Sequence, residues 1–131
     1  MPLSLDHALG THVQALTLQA RRAELLGSNL ANADTPNYKA RDIDFHAALG
    51  AAQAQQTVAL KVTHPAHIQA AAAAGPTEVR YRVPTQASLD GNTVDRQLEQ
   101  AAFAENAVQY QVSLAFLGGK LKSLLSALRG E

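Results

Sequence analysis

The last third of the chain carries an apolar pattern that constrains the fold more than any other feature. Between residues 103 and 128, apolar residues recur in alternating steps of four and three, which is the period of a seam on a supercoiled helix. The seam consists of Phe103, Ala107, Tyr110, Leu114, Leu117, Leu121, Leu124 and Leu128. A second apolar row lies beside it and consists of Val108, Val112, Ala115 and Gly119. One partner helix cannot cover both rows, so the pattern predicts either a helix wrapped by a small domain or a helix buried between neighbouring copies.

A second long helix is predicted for residues 4–33, with Ser4 as its N-cap and Asp6 in its first turn. Its apolar residues also recur in steps of three and four, at Leu5, Leu9, Val13, Leu16, Ala20, Ala23, Gly27 and Leu30. Such a helix is roughly 45 Å long at about 1.5 Å per residue, and it depends on packing for stability. We therefore expect it to pair with the C-terminal helix.

The C-terminal helix is predicted for residues 93–129, with Asn92 or Thr93 as its cap. Small residues of the two helices, including Gly27 and Gly119, are expected to allow close approach. Gly118 and Gly119 together indicate either a local kink or a notch where another helix passes closely.

Residues 34–45 separate the first helix from the middle of the chain. Thr35 precedes a proline and is pushed out of the helical region, so the helix is expected to stop here and an extended segment to follow. The variable middle, residues 46–92, contains an alternating stretch at 77–83 that favours a short strand and an Asp90-Gly91 turn. The predicted fold class is mainly α: an antiparallel coiled-coil hairpin of terminal helices with a poorly ordered or small β-containing middle, in a single domain spanning 1–131.

The composition excludes several classes of function. The 131 residues include 11 basic and 11 acidic side chains and no cysteine. A net charge of zero gives no indication of nucleic-acid binding, and the lack of cysteine excludes disulfides, thiolate metal sites and a cysteine nucleophile. No apolar run is long enough for a transmembrane segment, and the N-terminus does not resemble a cleavable signal peptide.

The side chains that carry catalytic or metal chemistry do not form a recognisable site. His64 and His67 are separated by a proline and have no third ligand nearby in sequence, so we predict no metal site. Asp42 and Asp44 are expected to form a salt-bridged or solvated pair beside Arg41 rather than an acid–base pair. Phosphate-binding glycine loops and nucleophile elbows are absent from the sequence. The chain is therefore predicted not to be an enzyme and to use no cofactor or small-molecule substrate.

Two stretches resemble flagellar basal-body rod proteins: LGSNLANADTPNYKARDIDF at residues 26–45, and SLDGNTVD with FAENAVQYQVSLAFLGGKLKSLLSAL at residues 88–95 and 103–128. The first stretch is closer to proximal-rod members of the family than to the longer rod and hook relatives. Ala87 departs from the family, in which proline is expected. The motif residues are Asn29, Ala31, Asn32, Asp34, Thr35, Pro36, Tyr38, Lys39, Ala40, Arg41, Asp42 and Phe45.

The resemblance implies a structural subunit that the flagellar type III export apparatus secretes without a cleaved signal. In the periplasm the subunit would polymerise into a helical tube around the export channel, as part of a rod required for motility. The implied partners are other copies of the chain, other rod and basal-body proteins, and the export apparatus. The assembly seam is predicted to consist of Leu9, Leu16, Leu30, Phe103, Tyr110, Leu114, Leu117, Leu121, Leu124 and Leu128.

Two alternatives remain open from the sequence. The same two helices would suit a cytoplasmic helical-hairpin chaperone or adaptor that binds one partner helix in its groove. A histidine-dependent metalloenzyme would require metal bound at His64 and His67. For a rod subunit, the unpartnered seams also predict that the isolated chain is disordered or molten at its ends.

Overall fold

The computed structural model describes residues 5–55, 79–86 and 88–130. Along the chain lie helix α1 (Leu5–Ala31), strand β1 (Arg41–Ile43), helix α2 (Phe45–Gln55), strand β2 (Val79–Tyr81) and helix α3 (Arg96–Arg129). The prediction of a mainly helical chain with two long terminal helices and a small β-containing middle is confirmed. In the described part of the chain, no helix has the length and apolarity needed to cross a membrane.

Helices α1 and α3 pair in opposite directions. Asn29, near the end of α1, contacts Glu99 at the start of α3 (Nδ2 to Oε2, 3.3 Å). Ten residues earlier in α1, the backbone carbonyl of Gln19 accepts a hydrogen bond from the Asn106 amide at 2.9 Å. The contact moves toward the N-terminus of α1 as it moves toward the C-terminus of α3. The two helices therefore form the predicted antiparallel hairpin.

The side of α3 that faces α1 is polar where the pairing is tightest. Its two buried residues are Glu99 and Asn106. The half-buried residues on the same side are Ala102, Gln109, Tyr110, Ser113, Leu117 and Leu124. The oxygens Asn106 Oδ1 and Gln19 Oε1 are buried without a hydrogen-bond partner. The expected close approach does not occur at Gly27 or Gly119, because a Cβ added at either glycine would have no neighbour within 4 Å.

A small apolar core lies on another side of α1. Leu18 and Leu25 of α1 pack with Ile43 of β1 and Ala48 of α2. The buried positions of α1 are 18, 19, 25, 26 and 29, none of which belongs to the predicted seam, and the seam positions 13 and 20 are exposed. The hydrophobic spacing therefore predicted the helix correctly, but the predicted buried face differs from the observed one by about one residue.

Strands β1 and β2 pair antiparallel, with Asp42 opposite Arg80. Helix α2 begins at Phe45, because Asp44 Oδ1 accepts a hydrogen bond from the Ala47 amide at 3.0 Å and so caps the helix. The extended segment thus ends one residue before the predicted boundary. At the start of α3 the predicted caps Asn92 and Thr93 are wrong: Asp95 is the N-cap and accepts from the amides of Gln97 and Leu98.

Helix α3 continues through Gly118 and Gly119 to Arg129, so this glycine pair does not end the helix. Within the described residues, a Cβ at either glycine would also meet nothing within 4 Å, so no helix of the same chain passes closely there. The predicted Ser4 cap and the residues 56–78, which include His64 and His67, lie outside the described residues.

Candidate functional site

The motif segment after α1 folds back on the helix through the side chain of Asn29, which is completely buried. Its Nδ2 donates to the carbonyl of Arg41 at 2.8 Å, and its Oδ1 accepts from the amide of the same residue at 3.1 Å. The amide side chain therefore pairs with β1 as a neighbouring strand would. Tyr38 donates its hydroxyl to Asn29 Oδ1 at 3.4 Å, and Glu99 accepts from Nδ2, so both ends of the amide are satisfied.

The turn after α1 is held by a second buried asparagine, Asn92, which comes from the segment before α3. Its Nδ2 lies 2.8–3.2 Å from the carbonyl oxygens of Asn32, Ala33 and Thr35. Its Oδ1 accepts from the amide of Val94 at 2.8 Å. Asn92 thus binds carbonyls of the turn that follows α1, and it ties this turn to the segment before α3.

Two residues with left-handed backbone meet where these segments cross. Asn37 has φ 62° and Gly91 has φ 71°. The amide of Asn37 donates to the carbonyl of Asp90 at 2.9 Å. A Cβ at Gly91 would lie 2.6 Å from Asn37 Oδ1, so only glycine fits there without displacing the asparagine.

Backbone exchange continues from this crossing toward β1. The Thr93 amide donates to the carbonyl of Tyr38 at 3.0 Å, and the Ala40 amide donates to Thr93 Oγ1 at 2.8 Å. Lys39 donates from Nζ to the carbonyl of Gly91 at 2.6 Å. Ala40 is completely buried, so a larger side chain has no room at this position.

A chain of four charged side chains links α1, β1, the residue after β2, and α3. Arg22 makes a two-pronged contact with Asp42, with Nε to Oδ1 at 3.0 Å and Nη2 to Oδ2 at 3.1 Å. Arg82 bridges Asp42 at 2.6 Å and Glu99 at 2.5 Å. The Glu99 side chain is only 1% exposed, and Arg82 is its salt-bridge partner there. Two cations and two anions alternate, and the cluster is electrically balanced.

The pairing of Asp42 with Arg22 shifts the pKa of both groups. Burial alone would raise the pKa of Asp42, but hydrogen bonds from Arg22 and Arg82 outweigh it and hold that pKa below its usual value. The hydrogen bond to Asp42 raises the pKa of Arg22 above its usual value, against the opposing effect of burial. Asp42 is therefore an ionised structural anchor at neutral pH.

The structure brings most of the predicted motif residues into this junction. Asn29, Asn32, Tyr38, Lys39, Ala40, Arg41 and Asp42 contribute the contacts above, and Phe45 packs against the apolar core. Asp34 is exposed and pairs with Arg96 at 2.6 Å. Thr35 donates its hydroxyl to Asn32 at 3.2 Å, while Ala31 and Pro36 are exposed.

Asp42 and Asp44 are salt-bridged as expected, but Arg41 is the partner of neither, and Asp44 lies 3.7 Å from Arg80. Asp42 pairs with Arg22 and Arg82, whereas the Arg41 residue is exposed and contributes its backbone. Sequence reasoning missed Arg22, Arg82 and Glu99, which lie up to 77 positions apart. The alternation around Arg82 indicated a strand, but no local pattern indicated which carboxylates its guanidinium would meet.

The predicted assembly seam is divided by the fold. Leu9, Leu16 and Leu30 on α1 and Tyr110, Leu117 and Leu124 on α3 are half-buried. In contrast, Phe103, Leu114, Leu121 and Leu128 are 42–85% exposed. The second apolar row of Val108, Val112, Ala115 and Gly119 is exposed as well, and so is the neighbouring Phe116. An exposed apolar surface of this extent is characteristic of an interaction site.

The comparisons with known proteins agree with the motif. The family described as Flagella basal body rod protein matches residues 9–39. The chain is 48% identical over 131 residues to the Flagellar basal body rod protein FlgB of Escherichia coli (strain K12), covering 95% of each chain. It is 48% identical over 132 residues to FlgB of Aeromonas hydrophila, covering 100% of this chain and 99% of the relative. It is 50% identical over 123 residues to FlgB of Cereibacter sphaeroides (strain ATCC 17029 / ATH 2.4.9), covering 94% of each.

These relatives favour the rod interpretation and do not support the chaperone alternative. The matched segment 9–39 contains most of α1 and the Asn29-to-Lys39 part of the junction. Because near-identical lengths align at close to half identity, the similarity extends to both long helices. The chain belongs to the FlgB family of flagellar basal body rod proteins and is a structural subunit of the bacterial flagellar rod.

Proposed function

We propose that this subunit polymerises through α1 and α3 into a helical tube around the flagellar export channel. The observation that carries the proposal is the exposed leucine row of α3, represented by Leu114, Leu121 and Leu128. Pairing with α1 covers a polar row of α3 and leaves these leucines in solvent. Neighbouring subunits would remove them from water, at about 25 cal/mol for each Å² buried.

In this proposal the motif junction is a positioning device. The contacts of Asn29, Asn92 and the Asp42 cluster fix the angle between the end of α1 and the start of α3. A fixed angle lets each copy present its apolar rows in the same direction, which a helical array of identical contacts requires.

The remaining parts of the proposal concern route and partners. The chain is exported by the type III apparatus without a cleaved signal and assembles in the periplasm with copies of itself and with other rod and basal-body proteins. It acts without catalysis, because its role is mechanical. The support is family membership with rod proteins, together with the exposed apolar surface.

The Leu121→Asp substitution tests the proposal. Leu121 is 42% exposed, so aspartate there leaves the α1–α3 pairing intact and places a charge in the proposed interface. We expect cells that carry only this variant to export the subunit but to lack rods and motility. Leu117 suits this test less well, because it is half-buried in the hairpin.

Ser123→Asp is the matched control, since Ser123 is an exposed polar residue two positions away on the same helix. Purified basal bodies are probed for the subunit, and the culture fractions for exported protein. Normal rods and normal swimming with Leu121→Asp would show that the leucine row is not an assembly surface.

A further inference from the structure

The two apolar seams predicted from the sequence do not face each other, because both line one groove on the surface of the α1–α3 hairpin. Ala20 and Ala23 of the α1 seam form one wall, and Phe103, Ala107 and Tyr110 of the α3 seam form the other. The groove has a volume of about 350 Å³, and we call it the seam groove. The apolar side chains that would ordinarily close a two-helix coiled coil therefore remain available on one side of the hairpin.

The apolar lining of the seam groove continues along both helices. Leu114 and Leu121 follow Ala107 at intervals of seven residues, so they lie on the same side of α3, and they are 45% and 42% exposed. On α1, Val13 lies seven residues before the first alanine of the wall and is 50% exposed. Along α3 the lining extends from position 103 to position 121, which is about 27 Å at about 1.5 Å per residue. A groove with this length and this repeat fits a third helix.

The second apolar row lies on nearly the opposite side of α3. At about 100° per residue, Val112 lies about 160° round the helix from Leu114, and Gly119 lies about 160° from Leu121. Val108 and Val112 are 60% and 46% exposed. Beyond Gly119 the same side of the helix carries serines, so the apolar row ends there.

These two surfaces account for every exposed large apolar side chain in the described parts of α1 and α3. The groove side carries Val13, Phe103, Leu114, Leu121, Leu125 and Leu128, and the side of the second row carries Leu98, Val108, Val112 and Phe116. Each helical hairpin therefore presents one concave apolar surface and one helical apolar row that match in period.

We propose that the second apolar row of one copy docks into the seam groove of the neighbouring copy of the same chain. This inference rests on the proposed polymerisation and adds to it the two surfaces that meet. Both surfaces repeat in steps of four and three residues, so neighbouring α3 helices that run in the same direction keep one contact geometry along the whole row. Because the surfaces lie on different sides of the helix, the contact is heterologous and repeats from copy to copy without forming a closed pair.

Small residues in the second row permit this close approach. Ala115 and Gly119 are exposed, and a Cβ added at Gly119 would meet nothing within 4 Å in the described part of the chain. The leucines of the groove can therefore pack against the backbone of the neighbouring α3. Glycine weakens a helix interior, and a packing role between subunits explains its presence at this position.

The lengths of the two surfaces restrict their register. The row extends from position 108 to position 119, and it stays within the lining from 103 to 121 only if it shifts by at most five residues toward the start of α3 or two toward its end. Val13 lies six residues before Gln19, whose carbonyl contacts Asn106, so Val13 is level with Val112 of its own α3. In every allowed register Val13 therefore lies beside a residue between 110 and 117 of the neighbouring α3.

Disulfide cross-linking tests the docking, and the natural sequence contains no cysteine. Val13→Cys is combined with Val112→Cys or with Ala115→Cys, each double variant is expressed as the only copy of the subunit, and purified basal bodies are oxidised and resolved without reductant. We expect dimers and higher multimers of the chain with at least one of the two pairs. The control pair Val13→Cys, Lys120→Cys is expected to remain monomeric, because Lys120 lies about 100° round the helix from Gly119.

Gly119→Leu provides a second measurement that does not depend on the cysteine variants. The open space around Gly119 accepts the new side chain in the free subunit, so the urea midpoint of unfolding should not fall. Between subunits the added side chain would separate the row from the groove, so we expect the amount of subunit in basal bodies to fall about tenfold. Gly50→Leu, at an exposed glycine of α2 with equally open surroundings, is the control and should be incorporated normally.

The outcomes separate this inference from the proposed function. Oxidised basal bodies that contain only monomeric subunit with both double-cysteine variants would overturn the docking while leaving the rod role intact. Normal incorporation of Gly119→Leu would overturn it as well. Absence of the natural chain from purified basal bodies would instead contradict the proposed function itself.

Discussion

Asn29→Ala is the substitution that most directly tests the motif junction. The Asn29 side chain is completely buried and bonds both backbone groups of Arg41, the hydroxyl of Tyr38 and the carboxylate of Glu99. Alanine removes all four contacts and leaves the carbonyl and amide of Arg41 without this partner. The junction would then be held by the contacts of Asn92, the backbone exchange between residues 37–40 and 90–93, and the charged cluster.

The expected loss follows from the number and quality of these contacts. Hydrogen bonds contribute about 1 kcal/mol each, and a buried group left without a partner costs about 1–3 kcal/mol. The contacts to Arg41 at 2.8 and 3.1 Å are the better ones, and those at 3.3 and 3.4 Å are weaker. We therefore expect the free energy of unfolding to fall by about 3 kcal/mol, which is large against a typical total of about 5–15 kcal/mol.

Urea unfolding followed by circular dichroism measures this loss, and exchange of the Arg41 amide reports on it locally. With a urea dependence of about 1.5 kcal/mol/M, the midpoint should fall by about 2 M. Gln100→Ala, at an exposed position of α3, is the control and should shift it little. A change below about 0.5 kcal/mol for Asn29→Ala, with the Arg41 amide still protected, would refute the assigned role of Asn29.

Two further predictions concern the same junction. The lowered pKa of Asp42 means that its contribution to stability is present above its unfolded pKa of about 3.9 and is lost as pH falls through the lower folded value. At pH 7, Asp42→Asn should lower the free energy of unfolding by about 2 kcal/mol, and the difference from the natural chain should shrink below about pH 4 in urea titrations; a difference independent of pH would contradict this. Gly91→Ala should cost about 1–3 kcal/mol, because it combines φ 71° with a Cβ 2.6 Å from Asn37 Oδ1; an unchanged thermal midpoint relative to Gly50→Ala, where a Cβ would meet nothing within 4 Å, would argue against it.

The fold class was accessible from the sequence because long periodic helices carry a strong repeated signal. Steps of three and four residues over more than 20 positions located α1 and α3, and the Thr35-Pro36 pair indicated where the first helix stops. Alternation around residues 77–83 indicated β2. These features are local, so a single sequence contains them.

The orientation of the helices was harder to predict, because apolar spacing identifies a face without identifying its partner. In α3 the apolar seam was the natural candidate for pairing with α1, yet Glu99 and Asn106 occupy the tightest part of that contact. Each contacts a residue of α1 that lies 70 or 87 positions away, which no local pattern encodes. The same reason explains why Arg22 and Arg82 were missed as partners of Asp42.

The polar contact between α1 and α3 has a consequence for assembly. Buried polar groups contribute less to stability than apolar packing, and three side-chain oxygens in the described residues lack a hydrogen-bond partner: Gln14 Oε1, Gln19 Oε1 and Asn106 Oδ1. The junction at the base of the hairpin therefore orients the two helices more firmly than the seam between them does. An assembly that covers the exposed leucines would then supply the missing apolar burial.

The central claim is that the exposed leucine row of α3 becomes buried between subunits in the rod. Maleimide labelling of a Leu121→Cys variant tests it directly, because the chain has no other cysteine. We expect rapid labelling in the free subunit, strong protection in purified basal bodies, and full labelling again after those basal bodies are dissociated in denaturant. Equal labelling of the free and assembled subunit would contradict the claim.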